Sequence, residues 1–324
     1  METALYDVEG GFYVRAEGVG GARRAFATIP SLSPLLGRAI WQWAKGLAGR
    51  GPLDMVEVGA GGGHLAKAFL DAAGWWGRRS LRYHIVEISP KLREAQAAML
   101  NGRKVVWHDS IEAALGATER TAIISNELVD AFPCQLLRYE SGAWRELRLG
   151  WPPEGESPLA AHDTDLDLTP FTACDPLMWP GGISEGQVVE IHPAFRDWLH
   201  AWARRDRKVD MLTIDYGDPM PELYVDRPQG TLRGYVAHQR LTGAALFRGP
   251  GTIDLTCDVN FTDLQAWGQS VGLHTVEFND QAGFLDAWLP DKEKARHAAD
   301  LDAISDPDGA GGAFKVLWQR SGKV

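Results

Sequence analysis

The 324-residue chain has few cysteines, no C-x-x-C pair and no long apolar run. Its cysteines are Cys134, Cys174 and Cys257, an odd and widely spaced set that argues against a disulfide framework or a zinc site. A reducing compartment is therefore expected, and we predict a cytoplasmic protein. No apolar run is long enough to span a bilayer, so membrane insertion is not expected. The first residues also lack the basic and apolar regions of a signal peptide.

The chain has little positive charge. It contains 33 Lys and Arg against 43 Asp and Glu, which gives a formal net charge of −10. A nucleic-acid partner is not expected, because binding phosphates requires clustered Lys and Arg. The most basic stretch, from Arg204 to Lys208, lies near the end of a predicted helix, where cations offset the helix dipole.

The first half of the chain alternates predicted strands and helices. Such alternation predicts a parallel sheet with right-handed crossovers. The predicted elements are a helix over Leu35–Leu47, a strand over Met55–Val58, a helix over His64–Ala73, a strand over Tyr83–Glu87, a helix over Pro90–Leu100, a strand over Lys104–Trp107, a short helix over Ile111–Leu115 and a strand over Thr121–Ser125.

The second half breaks this rhythm twice. A predicted hairpin has Ser141 and Gly142 at its turn, and residues 151–186 and 217–258 are interpreted as irregular. The remaining predicted elements are a helix over His192–Arg205, a strand over Val209–Tyr216, a helix over Phe261–Val271, a strand over Leu273–Phe278, a helical segment within 283–304 and a strand over Ala313–Gln319.

These elements predict a Rossmann-like α/β fold with a seven-stranded, mostly parallel sheet, whose last two strands form an antiparallel edge. Insertions follow strands four and five, at about 134–208 and 217–260. The predicted division is an N-terminal loop and helix region, 1–50, and a nucleotide-binding domain, 51–324.

The stretch VEVGAGGGH, Val56 to His64, resembles the glycine-rich turn of a nucleotide site. In the dinucleotide pattern G-x-G-x-x-G, the third glycine allows close packing of the helix on the strand. Counting from Gly59, that position is His64, which argues against a dinucleotide. The pattern G-x-G-x-G instead resembles the turn of class I S-adenosylmethionine-dependent methyltransferases, whose ligand has no pyrophosphate to bind.

Two acids follow the next strands. Glu87 ends the second strand, where an acid binds ribose hydroxyls, and Asp109 follows the third. Ligands of open α/β sheets bind beyond the carboxyl ends of the strands, so these features are expected to converge. The predicted cofactor-binding residues are Glu57, Gly59, Gly61, Gly63, Glu87, Ile88, Asp109, Ser110 and Asn126.

The segment SNELVDAFP, Ser125 to Pro133, leaves the fourth strand with several polar side chains. Glu127 and Asp130 are suited to clamp a guanidinium group, which presents planar donors for paired carboxylates. A helix-capping role is the alternative for Asn126 and Asp130. His238 is a third candidate catalytic residue, because histidine exchanges protons near neutral pH. Thr256 and Asp258 are interpreted as caps without chemistry.

An ordered set of motifs, LYDVEGGFY, VEVGAGGGHLA, YHIVEISPKLREAQ, SNELVDAFP, IDYGD, LRGYVAH and GTIDLTCDVNF, resembles the MidA/NDUFAF7 family of S-adenosylmethionine-dependent methyltransferases. The resemblance implies the class I methyltransferase fold. It also implies methyl transfer to arginine of a partner protein, since the family's mitochondrial member methylates a complex I subunit during assembly. Oligomeric state is left open.

This chain departs from the family pattern at two places. The segment from Ala27 to Ser31 lacks the glutamate of the family's T-S-P-E. The stretch from Asp254 to Phe261 lacks a histidine and an aspartate of its D-L-T-x-H-V-D-F. Both departures fall on the predicted substrate side.

Three other interpretations remain open. The first is a small-molecule or peptide O- or N-methyltransferase, and the second is an assembly factor that binds the cofactor without turnover. A dehydrogenase is the third, and His64 disfavours it.

Overall fold

The computed structural model describes residues 1–14, 29–48, 52–77, 79–115, 120–150, 158–203, 208–236 and 239–322. The chain divides into two compact units. The first unit comprises Met1–Arg15, Val129–Ala201 and Gly217–Trp267, and the second comprises Ala16–Leu128, Trp202–Tyr216 and Gly268–Val324. This division cuts across the predicted boundary at residue 50, since the first residues and the first long helix fall in different units.

The strands are β1 Leu53–Val58, β2 Leu81–Val86, β3 Val105–His108, β4 Arg120–Asn126, β5 Gln135–Glu140, β6 Ala143–Leu149, β7 Leu159–His162, β8 Val188–Ile191, β9 Lys208–Asp218, β10 Arg233–Val236, β11 Gln239–Leu241, β12 Asp254–Thr256, β13 Val259–Asn260, β14 Leu273–Asp280 and β15 Phe314–Ser321. The helices are α1 Glu2–Tyr6, α2 Ile29–Leu32, α3 Leu35–Ala48, α4 His64–Gly77, α5 Pro90–Met99, α6 Ile111–Ala114, α7 Pro193–Trp202, α8 Phe261–Val271, α9 Gln281–Trp288, α10 Asp291–Arg296, α11 Ala298–Ser305 and α12 Ala310–Ala313. Among the described residues, no helix has the length and apolar character to cross a membrane.

The second unit is built on the sheet β14-β15-β9-β4-β1-β2-β3. β1 pairs in parallel with β2 and β4, and β4 pairs in parallel with β9. β15 is antiparallel to both of its neighbours, β9 and β14. The predicted α/β fold with a mostly parallel sheet is confirmed. The prediction that the last two strands form an antiparallel edge is confirmed, with β14 outermost and β15 between β14 and β9.

The central strands have the composition that burial on both faces requires. All six residues of β1 are buried, including Asp54 and Glu57. Parallel strands covered by helices on both faces read as near-continuous apolar runs rather than as alternating patterns. α3 supplies part of this cover with Leu36, Ile40 and Trp43, which recur at helical spacing and are fully buried.

The first unit contains two antiparallel sheets among its described residues, in the orders β7-β6-β5-β8 and β11-β10-β12. The predicted hairpin is present as β5 and β6, and its turn residues Ser141 and Gly142 both have positive φ angles of 53° and 81°. The expectation that residues 217–258 are irregular is wrong, because β10, β11 and β12 lie there. Strands of three or four residues are too short to show a clear alternation in the sequence.

Glu190 on β8 organises one end of the first unit. Its buried carboxylate accepts hydrogen bonds from the backbone N–H groups of Thr231 at 2.7 Å and Leu232 at 2.9 Å.

The expectation that Thr256 and Asp258 act as caps is wrong. Asn260 Oδ1 caps α8 by accepting from the N–H of Thr262 at 3.0 Å, while Asp258 forms ion pairs with two arginines.

Gly37 sets the close approach of α3 to α4. A Cβ atom at this position would lie 2.6 Å from the Cβ of Ala68 and 2.8 Å from the backbone nitrogen of Phe69. We expect Gly37→Ala to force the helices apart and to lower the free energy of unfolding by about 1–3 kcal/mol, measured by urea denaturation. Gly46→Ala is the matched control in the same helix, because its Cβ would make only ordinary contact with Trp288 at 3.7 Å. An equal loss in the two variants would contradict this account.

Candidate functional site

The glycine turn links β1 to α4 in the second unit. Gly59, Gly61 and Gly63 have φ angles of 70°, 50° and 81°, a region that only glycine adopts without strain. The N–H of Gly59 donates to the carbonyl oxygen of Val86 at 3.0 Å, which ties the turn to the end of β2. A Cβ at Gly61 would meet no described atom within 4 Å, so the backbone faces open space there.

Glu87 follows β2 directly and is buried, with 5% of its surface exposed. Its Oε1 accepts a hydrogen bond from the N–H of Ser89 at 2.9 Å, and its Oε2 accepts from the side-chain amide of Gln96 at 3.0 Å. Burial raises the pKa of this carboxyl, and the two donors oppose the rise. Ionised carboxylate oxygens accept further hydrogen bonds, so Glu87 keeps capacity for a ligand.

Gln96 is a candidate site residue that the sequence analysis missed. It lies on α5, is fully buried, and also donates to the carbonyl oxygen of Gly61 at 2.9 Å. Its side-chain oxygen accepts from the indole N–H of Trp107 at 3.0 Å. The sequence signal that could have identified Gln96 is its spacing of four from the apolar Leu92. This spacing places a polar amide on the face of the helix that packs inward.

The next cofactor candidates line the ends of β2 and β3. Ile88 is 67% exposed, which is unusual for a large apolar residue next to a buried acid. The exposed Asp109 pairs with Arg93 at 2.5 Å. Arg93 also donates to the carbonyl oxygens of Glu87 at 2.7 Å and His108 at 2.8 Å, which joins the ends of the two strands. The Ser110 hydroxyl caps α6.

The turn after β4 carries an outlier. Glu127 has a φ angle of 52°, in the left-handed region that residues other than glycine rarely adopt. Its Oε1 accepts from the side-chain amide of Asn126 at 2.9 Å. The fully buried Asp215, at the end of β9, accepts from the N–H of Leu128 at 3.2 Å and so fixes the chain just beyond. Strained backbone of this kind is characteristic of ligand-binding and catalytic sites.

The side-chain oxygen of Asn126, beside this turn, is a candidate acceptor for a ligand. Its Oδ1 is buried and has no hydrogen-bond partner within the described part of the chain. A buried oxygen of this kind is costly unless a ligand or water satisfies it. The capping alternative for Asn126 is not supported, because a cap requires its Oδ1 to accept from a backbone N–H, and Oδ1 has no such partner among the described residues.

The other two catalytic candidates are Asp130 and His238. Asp130 lies in the first unit, where its Oδ2 accepts from the hydroxyl of Thr256 at 2.8 Å. Burial raises the pKa of Asp130 to about 6, while Thr256 and the charge of Arg233 oppose this rise. His238 lies outside the described residues.

A separate cavity of about 730 Å³ lies in the second unit against α3, α4 and α10. Its lining includes Arg38, Trp41, Lys67 and Glu293, and it reaches the start of α4 at His64. Among the described residues, no predicted cofactor residue lines it. We therefore assign the site to the strand ends and not to this cavity.

The glycine turn, the acid after β2 and the sheet order together define the class I methyltransferase fold. Residues 35–279 match a family described as "putative S-adenosyl-L-methionine-dependent methyltransferase". The match spans more than half of the chain, and the chain belongs to this family.

Curated relatives carry a more specific name. The chain is 26% identical over 299 residues to "protein arginine methyltransferase NDUFAF7, mitochondrial" of Danio rerio, covering 82% of this chain and 66% of that protein. The Xenopus tropicalis protein of the same name is 25% identical over 296 residues, covering 81% of this chain and 64% of the relative. The chain therefore spans slightly less than two thirds of the length of these relatives.

A solved structure is also similar. The crystal structure of a "likely methyl transferase" from Burkholderia thailandensis bound to S-adenosylhomocysteine superposes with a TM-score of 0.78 at 26% identity. The match covers 98% of this chain and 86% of that one. The predicted cofactor, S-adenosylmethionine, is confirmed at the level of family and fold.

The residues present fit this cofactor. Glu87 retains acceptor capacity for ribose hydroxyls, Ile88 presents an exposed apolar surface suited to a base, and Gly61 leaves open space above the turn. Glu57 differs from the other candidates, because it is 2% exposed and accepts from the hydroxyl of Tyr83 at 2.7 Å inside the sheet.

Burial raises the pKa of Glu57 from 4.5 to about 7, while Tyr83 opposes the rise. The folded state therefore binds more protons than the unfolded chain between these values, and its stability falls as pH rises through that window. We expect Glu57→Gln, which can still accept from Tyr83, to gain about 2–3 kcal/mol relative to wild type between pH 5 and pH 8. Urea denaturation at both pH values measures this gain, with the exposed Glu94→Gln as control. A difference that does not change with pH would contradict the assignment.

Proposed function

We propose that the chain transfers a methyl group from S-adenosylmethionine to an arginine side chain of a partner protein. The observation that carries this proposal is the carboxylate of Glu127, which a strained turn presents at the end of β4. The names of the curated relatives support the same acceptor.

In this proposal the cofactor lies across the ends of β1, β2 and β3. Glu87 accepts from the ribose hydroxyls, while Ile88, Asp109 and Ser110 lie on the adenine side. Gly59, Gly61 and Gly63 allow the cofactor to approach the backbone closely, and Asn126 Oδ1 accepts from its amino-acid portion. Glu57 is proposed to support the end of β1 rather than to contact the cofactor, because its side chain is buried within the sheet and accepts from the hydroxyl of Tyr83.

When bound, S-adenosylmethionine supplies a methyl group on a positively charged sulfur. The protein's part is to hold the acceptor nitrogen in line and to receive the proton that this nitrogen loses. A carboxylate binds two N–H groups of a guanidinium in a planar, bidentate arrangement and so orients the remaining nitrogen. Glu127 is proposed for this role, with its carboxylate oriented by Asn126.

Asp130 and His238 are the proposed proton acceptors. The raised pKa of Asp130, about 6, lies close enough to neutrality for proton exchange, although the carboxyl is 7% exposed. The guanidinium clamp of Glu127 with Asp130 stays a prediction.

The proposed partner is a protein or peptide. The curated relatives are named as mitochondrial, whereas the cysteine pattern of this chain predicts the cytoplasm, and that prediction is retained. A small-molecule acceptor and a cofactor-binding assembly factor are the outcomes that the experiments below separate from this proposal.

The first test is cofactor binding by calorimetry. Glu87→Ala removes the ribose acceptor, so we expect a loss of about 1.5–3 kcal/mol in binding of S-adenosylhomocysteine, or about 10- to 150-fold in affinity. Glu94→Ala removes an exposed carboxylate on α5, the helix that follows Glu87; it is the control and should leave affinity unchanged. Unchanged affinity in Glu87→Ala would place the ribose elsewhere.

The second test concerns Glu127. Glu127→Gln should retain cofactor affinity and lose at least 100-fold in methyl transfer to arginine peptides, because the amide cannot pair with a guanidinium charge. Glu127→Gly should be equally inactive yet more stable by about 1 kcal/mol, since glycine relieves the positive φ angle. Ser141→Gly, at a φ angle of 53° in the exposed hairpin turn, is the matched control and should gain stability with full activity.

Loss of cofactor binding in Glu127→Gln would assign it a structural role. Turnover of small metabolites but not of arginine peptides would favour the small-molecule enzyme. Cofactor binding without turnover of any acceptor would favour the assembly factor.

A further inference from the structure

Gln96 connects three separate parts of the second unit through one side chain. One amide N–H donates to Gly61 in the turn after β1, and the other donates to Glu87 after β2. The amide oxygen accepts from Trp107 on β3. A glutamine amide has two N–H donors, so both are used, and the side chain is fully buried.

We propose that Gln96 is a positioning residue of the cofactor site, which fixes the separation between the glycine turn and Glu87 and aims the Glu87 carboxylate at the ribose. This inference rests on the ribose role proposed for Glu87. Gln96 itself touches Gly61, Glu87 and Trp107, and acts on the cofactor through the first two.

The hydrogen bonds at Glu87 show how the positioning works. Ser89 N–H holds Oε1 at 2.9 Å and Gln96 holds Oε2 at 3.0 Å, and the backbone N–H of Ile88 also donates to this carboxylate. A carboxylate has about four acceptor sites, so Glu87 keeps capacity for a ribose hydroxyl. Without Gln96, Oε2 would lose this donor, and the carboxylate would rotate more freely about its terminal torsion, which is broad.

The same amide also favours the ionised form of Glu87. Burial opposes ionisation, and the N–H donors of Ser89 and Gln96 favour it. Two other charged groups face this carboxyl. Arg93 on α5 lowers the pKa of Glu87, and the negative charges of Glu87 and Glu57 on β1 repel each other. Arg93 makes its own contacts through the carbonyl oxygen of Glu87, so it does not replace Gln96 at Oε2.

The decisive variant is Gln96→Glu, which has nearly the same shape. It places a second carboxyl about 3 Å from Glu87, and two carboxyls at that distance share one proton. As pH rises the shared proton is lost, and the two charges separate Glu87 from the turn. We expect affinity for S-adenosylhomocysteine to fall at least tenfold from pH 6 to pH 9 in this variant, while wild-type affinity stays level or rises.

A second variant tests the route through the ribose. Gln96→Leu should lose about 10- to 100-fold in affinity for S-adenosylhomocysteine and less than threefold for its 2′,3′-dideoxy analogue, which lacks the hydroxyls that Glu87 binds. Trp107→Phe is the matched control. It removes only the donor to the amide oxygen of Gln96 and should cost less than fivefold, with no dependence on pH. A merely structural role for Gln96 would weaken both ligands equally.

The outcomes separate this inference from the proposed function. If Glu87→Ala weakens binding but neither Gln96 variant shows the pH dependence or the ribose dependence, the positioning role is overturned and the cofactor site stands. If wild-type protein binds neither S-adenosylmethionine nor S-adenosylhomocysteine, both fall. The thermal unfolding of each variant is measured alongside the binding titrations to show that the variant is folded. For Gln96→Glu, the folded protein at pH 6 is the reference for its own behaviour at pH 9.

Discussion

The parallel register of β1 with β2 and β4 is the constraint on which the candidate site depends. Val58 lies opposite Val86 on one side and opposite Ser125 on the other, so the three strands end at nearly the same level. The residues that follow them, Gly59, Glu87 and Asn126, are therefore neighbours across strands about 4.8 Å apart. Three stretches that are distant in sequence become one edge of the sheet, and a slip of one strand would separate them.

The edge is shaped by side chains that do not face the ligand space. Asp215 is fully buried and accepts from the N–H of Leu128, which holds the turn that carries Glu127 in its strained conformation. Arg93 joins the ends of β2 and β3 through two carbonyl oxygens. The geometry of the site is thus maintained by buried polar contacts, each of which satisfies groups that would otherwise be costly to bury.

The positions of much of this candidate site were predictable, because their signals are local. The glycine turn and Glu87 each follow an apolar strand directly, and the strand pattern places them at the carboxyl edge. Gln96 was not predictable, since its three partners come from separate segments that only the folded sheet brings together. The three-stranded sheet of the first unit was missed for a different reason. β10, β11 and β12 are too short for periodicity to identify, and their stability comes from tertiary pairing. The position of β15 inside the sheet depends on a long-range pairing order that no local pattern encodes.

The interleaving of the two units along the chain governs the order in which the protein can be completed during synthesis. The chain passes repeatedly from one unit to the other, so neither corresponds to a continuous stretch. The hydroxyl of Tyr13 donates to Asp254, a partner 241 residues away. At ribosomal rates of about 5–20 residues per second, Tyr13 waits about 10–50 s for that partner to be made. The hydroxyl of Tyr13 thus reaches its final contact only after Asp254 has been made, whereas the hydroxyl of Tyr6 has its partner, the carbonyl oxygen of Ala131, much earlier in synthesis.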